Sequence, residues 1–262
     1  MPRPADTSPL RYYPAALLDR ATALKPVARA REAITAARAP EHHAQPGQLP
    51  VPPAKLRVLV SGGSIEPFLD PTEAGVTAIR EVLGDRLRGT VLDFGCGCGR
   101  IARHWHGEGL DLHGCDYNPK LVAWCQENLP FMQAVVNDSK PPSPYSGDRF
   151  DVLYATSVLT HLTEDSQHRW LEEWRRILKP EGLALFTTHG DLYAQNLGRL
   201  EKPRYDAGEL VVRHPRIEGL NSCVALHPPS YVRERLLEGW ELLGFRPARY
   251  YRQDMWLATP RA

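Results

Sequence analysis

Residues 91–100, Val-Leu-Asp-Phe-Gly-Cys-Gly-Cys-Gly-Arg, decide the fold of this chain. An apolar run with one acid leads into three glycines at alternate positions. Such a run is typical of a buried strand, and the glycines predict a tight turn whose missing side chains let a ligand approach the backbone. The stretch therefore predicts a ligand-binding turn between a strand and a helix.

The residue types in this turn indicate which ligand it takes. A dinucleotide-binding turn carries its third glycine at the position that Arg100 occupies here. A pyrophosphate also prefers bare N–H groups at a helix N-terminus, and Asp93 would repel it. A ligand with an ammonium group fits Asp93 better, and S-adenosylmethionine is such a ligand.

Outward from the turn, short apolar runs alternate with amphipathic segments. The pattern predicts strands at residues 91–94, 110–116, 131–136, 150–155 and 183–188. Helices are predicted at 72–84 with Thr72 as N-cap, at 100–106, at 118–129, and from a Thr163 cap to about 178. Because helices of roughly 8–15 residues connect these strands, we expect a parallel sheet with right-handed crossovers.

The alternation breaks after His189. Residues 190–226 are predicted to be an insertion with a hairpin formed by 209–213 and 222–227. The pattern resumes with a helix at 231–243, stopped by Gly244, and with strands at 245–251 and 255–259. Only a tight connection joins the last two strands, so they are predicted to be antiparallel.

Composition limits the class of protein. The 262 residues carry 32 Lys+Arg and 31 Asp+Glu, a net charge of +1 that argues against a nucleic-acid partner. No stretch approaches the roughly 18 apolar residues of a membrane span, so we predict a soluble protein without membrane contact. Five cysteines without a CxxC pair or zinc-finger spacing predict free thiols in the cytoplasm and no metal site.

The stretch DFGCGCGR resembles motif I of the class I S-adenosylmethionine-dependent methyltransferases, and the order of elements from 90 to 262 is similar to their fold. The resemblance implies an α/β fold, a doubly wound, mostly parallel, Rossmann-like seven-stranded sheet with an antiparallel C-terminal strand pair. It also implies a division of the chain. Residues 1–54 form a proline-rich N-terminal extension, 55–89 a helical lid segment, and 90–262 the methyltransferase domain, in which the insertion 190–226 caps the acceptor site.

The resemblance further implies S-adenosyl-L-methionine as the methyl donor and S-adenosyl-L-homocysteine as the product. Asp93 and the glycine loop would lie beside the methionine end of this cofactor, as would Ser157 after the fourth strand. The loop residues assigned to cofactor binding are Gly95, Cys96, Gly97 and Gly99.

Three further positions are assigned to the nucleoside. Asp116 ends the second strand, where an acid accepts the ribose hydroxyls in dinucleotide folds; the alternative is a capping acid. Tyr117 would pack against the adenine, or serve as core or surface packing. Asn137 and Asp138 resemble the position that meets the adenine amino group, but an Asn-Asp pair is also ordinary turn chemistry.

Histidines supply the candidate catalytic bases. His161 and His189 follow the fourth and fifth strands, at the sheet edge where open α/β folds bind ligands. An imidazole can accept a proton from an acceptor hydroxyl at neutral pH. His161 is the leading candidate, with His189 and His227 as rivals, and the alternative is that these side chains only orient their loops.

We predict an O-methyltransferase of a small molecule. The sugar or natural-product type is suggested because the N-terminal segment and the terminal Gln253-Asp254 resemble a bacterial subgroup associated with sugar or polysaccharide modification. Alternatives are transfer to nitrogen or carbon of a small molecule or peptide, or a non-catalytic cofactor-binding protein. The insertion carries basic residues that suit an anionic acceptor or are offset by neighbouring acids, namely Lys202, Arg204, Arg213 and Arg216. A monomer and a homodimer are both compatible with the sequence.

Overall fold

The computed structural model describes residues 25–42, 44, 45, 47–250 and 252–261. Predictions for the first 24 residues of the N-terminal extension lie outside this range. The strands are β1 (Thr90–Phe94), β2 (Asp111–Asp116), β3 (Met132–Val136), β4 (Phe150–Ala155), β5 (Leu178–Thr188), β6 (Val211–Arg213), β7 (Val224–Leu226), β8 (Trp240–Tyr250) and β9 (Gln253–Pro260).

Helices surround these strands. They are α1 (Lys25–Arg38), α2 (Ala54–Ser61), α3 (Glu66–Leu69), α4 (Pro71–Ala74), α5 (Val76–Leu83), α6 (Pro119–Asn128), α7 (Glu164–Ile177), α8 (Asp191–Ala194), α9 (Lys202–Asp206) and α10, an α-helical turn (Pro229–Tyr231) that continues as a π-helix (Val232–Leu236). Short 3-10 helices lie at Gly84–Arg86, Ala102–Trp105, Leu159–His161 and Pro215–Ile217.

Seven of the described strands form one sheet in the order β3-β2-β1-β4-β5-β9-β8. The first five pair in parallel, and β9 pairs antiparallel with both β5 and β8. The predicted α/β fold, with its mostly parallel seven-stranded sheet and antiparallel C-terminal pair, is thus confirmed. The hairpin predicted in the insertion is the antiparallel pair β6–β7.

Both faces of the sheet are covered by apolar packing. On one face, residues of α3 to α6 pack together with β1 to β4, including the fully buried Ile79 and Val122. On the other face, α7 and α10 supply Trp170, Trp174 and Tyr231. Helices α2 to α5 are therefore part of the hydrophobic core, and a lid role for segment 55–89 stays a prediction.

Residues 39–53, which we call the strap, are held by two arginines. Arg57 of α2 is fully buried and donates to the carbonyl oxygens of Pro52 (2.7 Å), Pro40 and Gly63 (3.4 Å). Arg103 donates to the carbonyl oxygens of Leu49 (2.8 Å) and Pro50 (2.9 Å). Prolines offer carbonyls but no N–H groups, so a proline-rich segment finds its partners in side-chain donors such as these.

Several predicted helix boundaries are wrong. The helix predicted at 72–84 is split into α4 and α5 at Gly75, which takes φ +85°, and Asp70 rather than Thr72 caps α4. The helix predicted at 100–106 is only the 3-10 turn Ala102–Trp105. Thr163 stands at the N-cap of α7, but its side chain accepts no hydrogen bond from the helix.

The helix predicted at 231–243 is also wrong at its C-terminal end. Gly239 takes φ +76°, and the chain then enters β8 at Trp240. Residues 240–246 pair with β9, and Gly244, predicted to stop a helix, lies within β8 at a register shift. Pairing along β9 outweighs the helical spacing of the apolar residues, because β8 forms the edge of the sheet beside the buried β9.

Two other expectations concern membranes and thiols. Of the helices that the structure describes, none has the length and apolar character needed to cross a membrane. All five cysteines are free thiols and all are buried, as expected for small apolar side chains.

Candidate active site

The glycine loop after β1 is held by main-chain and carboxylate contacts. The N–H groups of Gly95 and Cys96 donate to the Cys115 carbonyl at 2.8 and 2.9 Å. Gly97 takes φ +55°, and a β-carbon there would lie 2.8 Å from a methyl group of Val60 in α2. Gly99 takes φ +73° and would meet Leu129 at 2.2 Å. Only glycine fits these two positions.

Asp116 organises this loop from the end of β2. One carboxylate oxygen accepts from the Gly97 N–H at 3.0 Å, and the other accepts from the Asn118 N–H at 2.8 Å. The side chain is buried, and burial raises its pKa. The sequence predicts a ribose-binding role for Asp116, and the structure adds a main-chain partner inside the glycine loop.

Asp93, in β1, is buried beneath the loop. Its Oδ2 atom finds no hydrogen-bond donor among the described residues. Burial raises its pKa to about 7, against the opposing effects of the neighbouring Tyr154 hydroxyl and Arg100. The Tyr154 hydroxyl in turn accepts from the Trp105 indole N–H at 3.0 Å. The Asp93 carboxyl is thus desolvated, and one of its two oxygens has no donor in the described structure.

The raised pKa of Asp93 predicts a pH-dependent stability. The folded state binds the proton more tightly than the unfolded chain, whose carboxyl titrates near 3.8, so this stabilisation is present at low pH and is lost as the pH rises to about 7. The free energy of unfolding of Asp93→Asn, relative to that of the wild type, should therefore increase by about 2–3 kcal/mol when the pH is raised from 5 to 8. Urea unfolding at both pH values measures this gain. Asp138→Asn, which replaces an exposed carboxylate, serves as control. The same change in free energy of unfolding between the two pH values for Asp93→Asn and the wild type would contradict the prediction.

The residues assigned to the adenine lie at the ends of β2 and β3. Tyr117 is 46% exposed, and its hydroxyl donates to the Gly219 carbonyl of the insertion at 3.0 Å. The buried Asn137 donates through its main-chain N–H to the Asp116 carbonyl at 3.2 Å, and its amide donates to the Asp138 carbonyl at 2.7 Å. An open depression of about 330 Å³ lies beside them, lined by Val136, Asn137, Asp138, Pro142, Ser143 and Pro144.

Ser157, after β4, belongs to a second polar group. Its φ of +59° is unusual for a residue with a side chain, and its N–H donates to the Thr187 hydroxyl at 2.8 Å. Gln253 at the start of β9 contacts the Ser157 hydroxyl at 3.0 Å and donates to His189 Nε2 at 3.4 Å. His189 Nδ1–H donates to the Ala225 carbonyl at 3.2 Å. Both ring nitrogens of the buried His189 are therefore engaged.

His161 differs from His189 in its accessibility. Its side chain is only partly buried, and Nδ1 lies 2.7 Å from the Cys223 carbonyl. A carbonyl only accepts, so Nδ1 carries the proton and Nε2 carries the lone pair. Burial lowers the pKa of His161, which keeps the ring neutral near pH 7. This is the protonation state that a general base requires.

The rival His227 is fully buried. Its Nε2 lies 3.0 Å from the Gln167 side-chain oxygen, while the Gln167 amide nitrogen donates to the carbonyls of Leu159 and Leu162. Nε2 of His227 is therefore a donor, and burial lowers its pKa to about 3. The geometry assigns His227 to holding the loop after β4.

The structure brings the predicted residues to one edge of the sheet, but it also adds others. Direct hydrogen bonds join the glycine loop to Asp116, and Ser157 to His189 through Gln253. The buried Cys96 packs against Gly114 of β2, and its predicted cofactor contact stays a prediction. Gln253, Glu218 and Cys223 carry no local sequence signal for this site, because their partners are distant in the chain. Within the described ranges, no three His, Cys, Asp or Glu side chains gather as a metal site requires.

Residues 92–186 match the family model of a methyltransferase domain. The matched stretch runs from β1 to β5 and contains the glycine loop, Asp116, Ser157 and His161. The match identifies a methyltransferase domain within this chain. The methyltransferase domain thus includes the edge of the sheet at which the candidate site residues meet.

Curated relatives of the methyltransferase domain include a malonyl-[acyl-carrier protein] O-methyltransferase of Pseudescherichia vulneris. It is 27% identical over 106 residues, which cover 40% of this chain and 41% of that protein. The putative methyltransferase YqeM of Bacillus subtilis is 26% identical over 106 residues, 39% of this chain and 43% of that protein. The matches therefore span about two-fifths of these relatives.

Solved structures share the fold of the methyltransferase domain. The PH0226 protein of Pyrococcus horikoshii superposes with a TM-score of 0.59 at 18% identity, over 78% of this chain and 96% of that one. The glycopeptide N-methyltransferase MtfA, complexed with S-adenosyl-L-methionine, superposes with a TM-score of 0.53 at 16% identity, over 72% of this chain and 88% of that one. At these identities the likeness concerns the fold alone.

Proposed function

We propose that this protein transfers a methyl group from S-adenosyl-L-methionine to a hydroxyl oxygen of a small molecule. The observation that carries the proposal is the placement of a glycine loop with a desolvated carboxyl oxygen at the same sheet edge as a histidine with a lone pair at Nε2. The first feature suits a cationic nucleoside, and the second suits an acceptor that must lose a proton.

The residues present fit this cofactor. Oδ2 of Asp93 is buried without a donor, and the cofactor's amino group would supply one. The glycine loop leaves no room for side chains, and its Gly97 is fixed by Asp116. Asp93, the loop and Ser157 would hold the methionine end, Asp116 the ribose, and Tyr117, Asn137 and Asp138 the adenine. When bound, the cofactor supplies an electrophilic methyl group on its sulfonium sulfur.

The chain's own residues orient the acceptor and remove its proton. His161 would accept the proton of the acceptor hydroxyl at Nε2, since its Nδ1–H is held by the Cys223 carbonyl. His189, whose nitrogens are both engaged, would keep Gln253 and Ser157 in place rather than act as the base. Orientation of the reacting atoms supplies on the order of 7–11 kcal/mol in the best cases, so a rigid loop favours the transfer.

Charge pairing bears on the class of acceptor. Within the insertion, Arg213 pairs with Glu201, Arg204 with Glu209 at 2.9 Å, and Lys202 with Asp206. These basic side chains are offset by acids of the same segment, as one of the two sequence interpretations expects. We therefore favour a neutral hydroxyl compound, such as a sugar or natural product, over an anionic one. The net charge of +1 gives little attraction to nucleic acid, and the free thiols support a cytoplasmic location.

The proposed function is tested in two steps. Calorimetry with S-adenosyl-L-homocysteine should show binding, and incubation with a methyl-labelled donor and fractionated metabolites should label an acceptor whose new bond is a methyl ether. Labelling of an amine or carbon would move the assignment to another methyltransferase class. Binding without any labelled acceptor would favour a non-catalytic protein, and absence of binding would overturn the proposal.

Replacing the proposed base gives a separate prediction. His161→Ala should lower the rate of methyl transfer by about 100-fold, a typical contribution of a general base. The affinity for S-adenosyl-L-homocysteine should change little, because the side chain lies on the acceptor side. Single-turnover labelling and calorimetry measure the two effects, with His168→Ala, in α7, as the matched histidine control. An unchanged rate would remove His161 from the mechanism.

A further inference from the structure

The turn formed by residues 217–223, which we call the bridging turn, contacts both halves of the site. The N–H of Gly219 donates to the main-chain carbonyl of His161 at 2.9 Å, and the Cys223 carbonyl accepts from the His161 ring at 2.7 Å. On the nucleoside side, the Gly219 carbonyl accepts from the Tyr117 hydroxyl at 3.0 Å. The orientation of the His161 ring therefore depends on where this turn lies.

The Glu218 side chain connects the bridging turn to the N-terminus of α7. Oε1 of Glu218 accepts from the Thr163 main-chain N–H at 2.6 Å and from the Thr163 hydroxyl at 2.7 Å. Thr163 is the N-cap residue of α7, a helix of 14 residues, and its own side chain does not cap the helix. A carboxylate at this position forms charge-assisted hydrogen bonds and lies at the positive end of the helix dipole.

The turn is also held by the Asn221 amide, which donates to the Leu59 carbonyl of α2 at 3.4 Å, and by its own backbone and packing. The N–H of Leu220 donates to the Ile217 carbonyl at 3.1 Å, and the N–H of Cys223 donates to the Leu220 carbonyl at 2.8 Å. Ile217 and Cys223 are buried, whereas Glu218 lies at the partly exposed side of the turn. These contacts fix the shape of the turn, and Glu218 fixes its position relative to α7.

We propose that Glu218 is a positioning residue for His161. By anchoring the bridging turn on Thr163, it holds the Cys223 carbonyl against Nδ1 of His161 and thereby keeps the lone pair on Nε2. This assignment rests on the proposed function, in which Nε2 is the atom that accepts the proton. The insertion is then more than a wall of the acceptor site, because it sets the tautomer of the base.

The test follows the ring nitrogens of His161 by nitrogen-15 NMR on the full chain near pH 7, with the signals assigned by their loss in His161→Asn. The wild type should show the Nδ1–H tautomer. Glu218→Ala should lose that signature, whereas Glu218→Gln, which keeps an acceptor oxygen at the same place, should retain it. Glu209→Ala is the matched control, because it removes an exposed carboxylate of the same insertion that pairs with Arg204.

The outcomes separate this inference from the proposed function. Loss of the signature in Glu218→Ala, with retention in Glu218→Gln and Glu209→Ala, supports the inference. An unchanged tautomer in Glu218→Ala, or an equal loss in Glu209→Ala, overturns it. Calorimetry of the wild type with S-adenosyl-L-homocysteine is run in parallel. A failure to bind there would remove the methyltransferase proposal without altering the tautomer result.

Discussion

Replacing Asp116 with alanine should lower the affinity for S-adenosyl-L-homocysteine on the order of 1,000-fold. The carboxylate holds the N–H groups of Gly97 and Asn118, and hydrogen bonds to a charged group are each worth about 1.5–3 kcal/mol. The substitution leaves both donors without this partner, so the loop loses its fixed shape. It also removes the oxygens that we assign to the ribose. Both effects weaken binding.

Calorimetry on the purified full chain measures this loss. Asp111→Ala is the matched control, because Asp111 lies at the opposite end of β2 with an exposed side chain. We expect the control to bind as the wild type does, and both variants to unfold within a few degrees of it. If Asp116→Ala bound the ligand normally, the assignment of Asp116 and of the glycine loop to the cofactor would fail.

Replacing Arg57 with methionine should lower the free energy of unfolding by about 3 kcal/mol. Methionine keeps the apolar stem of the side chain but leaves the carbonyls of Pro40, Pro52 and Gly63 without their donor. Prolines in the strap supply no alternative N–H groups, so the lost contacts are not replaced within it. At about 2–4 °C for each kcal/mol, the midpoint of thermal unfolding should fall by roughly 6–12 °C.

Thermal unfolding followed by circular dichroism tests this prediction. Lys55→Met is the control, since Lys55 is exposed on the same helix. Its midpoint should stay close to that of the wild type. An equal midpoint for Arg57→Met would show that the strap does not contribute to the stability of the folded domain.

Loosening of the strap should also alter the packing of the glycine loop. Val60 of the same helix lies against Gly97, and the Leu59 carbonyl accepts from the Asn221 amide of the insertion at 3.4 Å. Helix α2 therefore lies between the strap, the glycine loop and the insertion. The N-terminal segment, which composition alone describes as a proline-rich extension, is connected to the site through this helix.

The sequence by itself determined the fold class and the position of the glycine loop. The glycine spacing at 95, 97 and 99 and the alternation of apolar runs are local patterns, and local patterns report strand and helix periods directly. The position of Asp116 at the end of β2 was predicted for the same reason, because the end of a strand can be read from its neighbours. Parallel strands then bring such ends to one edge of the sheet, whatever the details of packing.

The tertiary structure alone decided the hydrogen-bond partners of the histidines and the place of the N-terminal helices. His161, His189 and His227 are the same residue type in the sequence, and the structure distinguishes them by their burial and by the hydrogen-bond partner of each ring. Glu218 and Thr163 are in contact although they lie 55 residues apart in the sequence, and no local pattern predicts that contact. The end of the helix at 231–243 was misjudged because pairing with β9 overrides helical spacing. Contacts between distant segments fix these features, and a sequence read locally does not contain them.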